Sequence, residues 1–301
     1  VIVLHEVGPR DGLQMETRVV PTERKAGWIR ELVAAGVDIV QVGSFVHPDK
    51  VPQMADTDRL CALLGKPPGV VLSALVLNER GLERGLACGV ELFCAGVSAS
   101  ETHSRKNTGM SIAEAADRIV AIAGRAREAG AAVQLSVQSA FGCGYEGAVP
   151  EERVLDLVRR YLDAGVTRIS LADTAGHAVP DQVERLYERV LALAPGIEAA
   201  CHFHNTYGLA LANCWAAMRV GVTGVETSMA GLGGCPFTKL AGGNTCTEDF
   251  VHMLQRSGAR AEIRLDRLIA VARDVAAYFG RELPGTVYRA GTVADAVRGT
   301  R

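Results

Sequence analysis

Eight short β-rich runs, most of them followed by a helical pattern, set the strongest limit on how this chain can fold. They cover residues 1–7, 37–43, 70–77, 90–96, 132–138, 166–172, 197–204 and 222–228. Several of the intervening helical stretches close on an Ala-Gly pair, at Ala35-Gly36, Ala129-Gly130 and Ala164-Gly165. Glycine suits the left-handed position just past a helix C-terminus. Alternation of β and α at this spacing argues for parallel strands. Eight units in about 230 residues match a barrel better than a doubly wound sheet, for which six strands are usual. The expected fold is therefore α/β, a (β/α)8 TIM barrel over residues 1–258. Residues 259–301 are expected to form a C-terminal helical extension packed on it, opening with an amphipathic helix over 259–278.

The 301 residues carry no long polar linker, and 48% hydrophobic against 22% charged residues suits a globular protein with a sizeable core. A net charge of −2 gives no reason to expect nucleic acid or an anionic membrane as partner. No apolar run approaches the roughly 20 residues of a membrane helix. Val1 already sits inside an apolar run, which leaves room for a removed targeting peptide; the cytoplasm is the expected compartment. The eight cysteines form no Cys-x-x-Cys pair and read as reduced thiols, most of them small buried apolar residues.

A barrel of this kind draws its catalytic groups from the C-terminal ends of its strands, and polar clusters fall there. The seventh run ends in Cys201-His202-Phe203-His204-Asn205. Side chains alternate along a strand, so both imidazoles share a face and could grip one divalent ion; two satisfied buried histidines are the plainer alternative. After the first run, Gly8-Pro9-Arg10-Asp11-Gly12-Leu13-Gln14 offers a carboxylate for a metal and a guanidinium for an oxyanion, or simply a surface turn. Gln41, near the end of the second run, faces the barrel interior if its register follows the strand period. The Ser98–Asn107 stretch, with hydroxyls and two cations, suits an anionic ligand or a solvated loop. Asp173 and Thr174 follow the sixth run, with a turn or N-cap role as the alternative for Asp173. After the eighth run, three glycines precede Cys235 in Gly231-Leu232-Gly233-Gly234-Cys235-Pro236, which suggests a mobile loop carrying a thiol able to act as acid or base. Asn244 offers an oxygen to a metal or caps a helix starting near Thr245, where Thr245 and Glu248 have capping-box spacing.

Taken together, these stretches resemble the 3-hydroxy-3-methylglutaryl-CoA (HMG-CoA) lyase family, within the metal-dependent lyases and Claisen condensing enzymes. The matching pieces are Glu6–Gln14, Ser44-Phe45-Val46 with Val51–Met54, Tyr145-Glu146-Gly147, His202–Gly208 with Ala210–Asn213, and Gly231–Pro236 followed by Gly243-Asn244 and Thr247-Glu248-Asp249. They run in order over nearly the whole chain, and the Gly-Leu-Gly-Gly-Cys-Pro loop is the piece most specific to the lyase branch. The resemblance implies that Asp11, His202, His204 and Asn244 bind Mg2+ or Mn2+. It implies that Arg10 stabilises an enolate oxygen and that Cys235 protonates the enolate. Asp173 or His202 is the candidate base, and Gln14, Gln41 and Thr174 are candidates for substrate contact. The implied reaction is retro-Claisen cleavage of HMG-CoA to acetoacetate and acetyl-CoA, an activity of leucine catabolism. The implied partners are an acyl-CoA substrate and a second copy of the chain in a homo-oligomer, expected as a dimer.

Departures from the family pattern cluster at the mouth: Gln41 where a glutamate is usual, Asn205 where an aspartate is usual, Ser139 for a cysteine, and differences at His47 and in the 100–107 loop. They leave open a lyase acting on citramalyl-CoA or a longer branched 3-hydroxyglutaryl-CoA. A condensing enzyme using acetyl-CoA and a non-catalytic metal-binding barrel are the rival classes.

Overall fold

A computed structural model describes residues 1–47, 49–234 and 242–299. The eight runs form strands β1 (Val3–Glu6), β2 (Ile39–Ser44), β3 (Val71–Leu75), β4 (Leu92–Ser98), β5 (Ala132–Gln138), β6 (Arg168–Asp173), β7 (Glu198–Phe203) and β8 (Gly224–Thr227). They close into one parallel barrel in chain order, with Val3 of β1 opposite Gly224 of β8. The expected TIM barrel is thus present. Strand ends move by a few residues from the expected runs, because ladder pairing rather than composition decides where a strand stops. The Ala-Gly helix ends behave as read: Gly36, Gly130 and Gly165 have φ of 97°, 80° and 75°.

Side-chain alternation sorts each strand into two faces. Leu4, Val40, Leu72, Leu135, Ile169, Cys201, Phe203 and Val225 are buried in the apolar shell with the surrounding helices. The other face is polar. His5 of β1 meets Ser73 of β3 at 2.8 Å, while Gln134 of β5 and Ser170 of β6 both reach Glu226 of β8. Strands that are not neighbours can touch only through the barrel interior, so these residues fill it. Barrel interiors are more often packed with branched apolar residues; here the space beneath the C-terminal mouth is lined with hydrogen-bonding groups.

The C-terminal helix runs over Leu265–Phe279 and packs along the helix Thr22–Ala35. Trp28 Nε1 donates to Asp274 at 2.6 Å across that contact. The helix starts later than the sequence suggests. Arg260 takes a left-handed φ of 53°, and its guanidinium turns back to the Asp38 carboxylate, which breaks the helical path before Leu265. Beyond the helix, the amides of Thr286 and Val287 donate to Asp249, tying the tail to the helix Thr247–Arg256. Among the described residues no helix is long and apolar enough to cross a membrane.

Two buried carboxyls knit the rim of the barrel. Glu6 accepts from the amides of Gly8 and Met229 at 2.8 and 2.9 Å and from the Thr247 hydroxyl at 2.6 Å. Glu248 accepts from the amide of Ala230 at 3.1 Å. Burial pushes the Glu6 carboxyl up to about 7 and that of Glu248 up to about 8. A carboxyl whose pKa rises on folding holds its proton more tightly in the folded chain. Its contribution is complete below the unfolded pKa and is lost as pH climbs through the folded value. Between about pH 6.5 and 8 the melting temperature of the metal-free protein is therefore expected to fall, and Glu248→Gln to flatten that slope. Thermal melts at half-unit pH steps check this; a slope equally steep in the variant contradicts it.

Candidate metal centre

The end of β1 passes directly into a tight turn, Gly8–Gly12, in which the amides of Arg10, Asp11 and Gly12 all point at the carbonyl of Val7. Such a turn is wider than an α-turn and is a frequent device at functional sites. It aims Asp11 inward, 8% exposed. The turn is anchored from behind: a Cβ on Gly12 would lie 2.8 Å from both Leu232 Cβ and Ser228 Oγ, so only glycine permits this approach to the segment after β8.

His202 is in β7 and His204 follows it, on the same face as the period of two requires. Their Nε2 atoms are 3.2 Å apart. Asn244 arrives from a segment laid across the ends of β7 and β8. There Asn205 N donates to Gly243 O at 2.7 Å, Thr245 N to Phe203 O at 3.0 Å, and Ser228 N to Thr245 O at 2.9 Å. This placement overturns the capping-box expectation. The helix begins at Thr247 with Cys246 as N-cap, while the Thr245 hydroxyl donates to Phe203 O and the Glu248 carboxylate holds Ala230.

Three ligand atoms, one each from Asp11, His202 and His204, lie within 4.8 Å of one another. Asp11 Oδ2 is 3.8 Å from His202 Nε2 and accepts from Asn244 Nδ2 at 2.8 Å. The Asn244 Oδ1 atom is buried and finds no partner among the described residues. Ligands about 2.1 Å from a shared octahedral ion stand about 3.0 Å apart when adjacent, close to the spacing of the two imidazole nitrogens. The donor set of two nitrogens, one carboxylate and one orphaned amide oxygen therefore fits a divalent cation.

The electrostatics agree. Burial alone would raise Asp11, yet Arg10, His202 and His204 beside it hold the carboxyl well below the usual carboxylate range. Burial, reinforced by the neighbouring His202, lowers His204 to about 4, which keeps its ring neutral and able to ligate. Burial works against charge on His202 as well, but its hydrogen bond to the Glu226 carboxylate prevails and raises it.

The remaining residues singled out in the sequence divide. Arg10 is close by, its Nη1 2.5 Å from Asp11 Oδ1 and its Nε donating to Gln41 Oε1. Gln14 Nε2 donates to the same Asp11 oxygen at 3.0 Å. Gln41 and Thr174 line the same cavity, about 390 Å3 in volume, that Asp11, His202 and His204 open into. The Thr174 hydroxyl accepts from Ser139 N at 2.9 Å. Asp173 is fully buried and accepts from the amides of His177 and Ala178 at 2.8 and 3.1 Å; burial pushes it up to about 6. Cys235 lies outside the described residues, although Gly234 before it lines the cavity. The 101–108 stretch forms a helix capped by Ser100, not a loop. Sequence reasoning missed Glu226, Gln134, Ser170 and His5. Their only sequence signal was a polar residue in the middle of an otherwise apolar strand.

A closed parallel barrel with a divalent-ion donor set at its C-terminal mouth defines the class. The particular family follows from comparison: the chain belongs to the HMGL-like family, whose model matches residues 2–275. It is 38% identical to the hydroxymethylglutaryl-CoA lyase YngG of Bacillus subtilis, over 94% of this chain and 95% of that protein. Its fold is similar to a crystal structure of the Bacillus subtilis HMG-CoA lyase, with TM-score 0.93 and 38% identity over 96% of this chain and 97% of that one. It is equally similar, at TM-score 0.93 and 36% identity over 98% and 96% of the two chains, to an HMG-CoA lyase from Acinetobacter baumannii in complex with coenzyme A and 3-methylmalate.

Gly233 has φ of 111°, and a Cβ there would meet Asn244 Nδ2 at 2.3 Å. Gly233→Ala is expected to strain the backbone and push Asn244 off Asp11, costing about 1–3 kcal/mol. Thermal denaturation should register a fall of several degrees, and an unchanged melting temperature would count against the packing described.

Proposed function

We infer that this chain is a carbon–carbon lyase that cleaves a 3-hydroxy-3-substituted acyl-CoA by divalent-metal-dependent retro-Claisen chemistry, with HMG-CoA giving acetoacetate and acetyl-CoA as the first choice of substrate. The observation that carries this reading is the convergence of Asp11, His202 and His204 with the orphaned Asn244 oxygen beside Arg10. It is supported by resemblance to HMG-CoA lyases over nearly the full length of the chain.

Asp11, His202, His204 and Asn244 Oδ1 would hold the ion. When bound, Mg2+ or Mn2+ would supply Lewis acidity to the tertiary hydroxyl and the carboxylate of the substrate. The two oxygen donors favour these harder ions over Zn2+. A base then takes the hydroxyl proton. Of the two candidates, His202 lines the cavity, whereas Asp173 is fully buried beside Phe203, is not among the residues lining the cavity, and holds the amides of His177 and Ala178. Scission of the carbon–carbon bond leaves negative charge on the thioester oxygen of an acetyl-CoA enolate. Arg10, held between Gln41 and Asp11, would stabilise that charge where it develops. Cys235, next in sequence to the cavity-lining Gly234, would give the enolate carbon its proton.

The neutral amide at Gln41 keeps a second reading alive, in which the substrate is a relative such as citramalyl-CoA or a longer branched 3-hydroxyglutaryl-CoA. A panel of 3-hydroxy acyl-CoA thioesters with product identification by mass decides between them. Cleavage of none of them with Mg2+ present would reject the lyase assignment.

Chelation is expected to abolish turnover and Mg2+ or Mn2+ to restore it. Cys235→Ser should lower kcat by about 10²–10⁴-fold with KM little changed; a variant with raised KM and undiminished kcat would remove Cys235 from proton transfer. His204→Ala should weaken Mn2+ binding in equilibrium titration, and an unaltered affinity would remove it from the ligand set.

A further inference from the structure

Inside the barrel, below the metal centre, lies a carboxylate that the proposed reaction does not use. Glu226 of β8 is 7% exposed and surrounded by donors from three other strands. Its Oε1 accepts from Gln134 Nε2 of β5 at 2.7 Å and from Ser170 Oγ of β6 at 3.0 Å. Its Oε2 stands 2.9 Å from His202 Nδ1 of β7. An ionised carboxylate only accepts hydrogen bonds, so a short contact to His202 Nδ1 requires a proton on that nitrogen. The lone pair of His202 is then on Nε2, the atom facing Asp11 and His204. His204 has no such carboxylate on its Nδ1 among the described residues.

We propose that Glu226, clamped by Gln134 and Ser170, is a positioning residue that fixes the tautomer and ring orientation of His202 and so sets the affinity of the site for its divalent ion. The inference rests on the metal-centre reading above. A carboxylate on the far nitrogen of a metal-bound histidine also raises the basicity of the ligating nitrogen, and losing one typically costs about 10–100-fold in metal affinity. The geometry supplies a sharper consequence. In Glu226→Gln, the new side chain keeps one acceptor oxygen and gains an NH2. Gln134 and Ser170 are two donors on one side and compete for that oxygen. The NH2 is left facing His202 Nδ1, which must then accept, and the proton moves to Nε2, where it blocks the ion. Exchanging the two residues, in Glu226→Gln with Gln134→Glu, reverses this. The carboxylate now at position 134 accepts from the new amide's NH2, the amide oxygen turns to His202, and the Nδ1 proton returns.

The test is calorimetric titration of chelator-stripped protein with Mn2+. Wild type is expected to bind, Glu226→Gln to bind about 10–100-fold more weakly, and the exchanged pair to recover most of that loss. Unchanged affinity in Glu226→Gln, or a double variant no tighter than the single one, overturns the proposal. Absence of Mn2+ binding by wild type would instead remove the metal-centre reading itself. Should either variant fail to fold, imidazole nitrogen shifts in the Mg2+-loaded wild-type protein give the answer without substitution. A proton on His202 Nδ1 supports the proposal, and one on Nε2 overturns it.

Discussion

Two imidazole nitrogens 3.2 Å apart, with a carboxylate 3.8 Å from one of them, form the contact on which the rest of this structure depends. Two bare lone pairs at that distance repel. They are stable together only with positive charge between or beside them, as a proton or a cation. Water is largely excluded, since His202, His204 and Asp11 are all under 10% exposed. An unsatisfied buried polar group costs about 1–3 kcal/mol, and the cluster includes the orphaned Asn244 oxygen as well. The chain tolerates this because the apolar shell outside the barrel carries the stability, leaving the inside free to be polar.

That division explains the scaffolding at the rim. Asp11 and Asn244 are 233 residues apart in the chain, yet their side chains meet at 2.8 Å beside the two histidines. The convergence is enforced by buried groups that face away from the cavity. Glu6 joins the turn after β1 to the segment after β8, and Thr247 links Glu6 to Thr227. The 243–247 segment inserts between the ends of β7 and β8. Preorganisation of this kind, with each donor held by its own hydrogen bonds, separates a site from a collection of side chains.

The barrel was legible because its signal is periodic and repeated: eight alternations of strand and helix, with glycine stops that the backbone dihedrals bear out at Gly36, Gly130 and Gly165. The His-x-His pair was legible because a period of two places both rings on one face wherever the strand lies. The start of the last long helix was not, because Arg260 leaves the helical path for a partner 222 residues away, Asp38. Thr245 and Glu248 match a capping box, but both are taken by the ends of β7 and β8, where buried partners outweigh a local cap. Glu226 was invisible for a related reason. A lone glutamate in a strand reads as a solvent-facing residue, and only closure of the barrel brings Gln134, Ser170 and His202 around it.

Gln41 shows how a single departure in the sequence acquires physical meaning. Its oxygen accepts from Arg10 Nε while Asp11 accepts from Arg10 Nη1, so the guanidinium is held at two points. A carboxylate in place of the amide would hold Arg10 in the same position but neutralise it. With a neutral amide, Asp11 is the only one of these two partners bearing charge, and Asp11 is also a donor in the proposed ion site. Once that carboxylate is shared with a cation, less of its charge remains to balance Arg10. The guanidinium then presents more net positive charge to the cavity at the moment an enolate forms there. The amide therefore holds Arg10 in place by a weaker bond than a carboxylate would make, while leaving it better able to stabilise an anion, and the accompanying change of charge at the mouth falls on whatever group the substrate places beside Gln41.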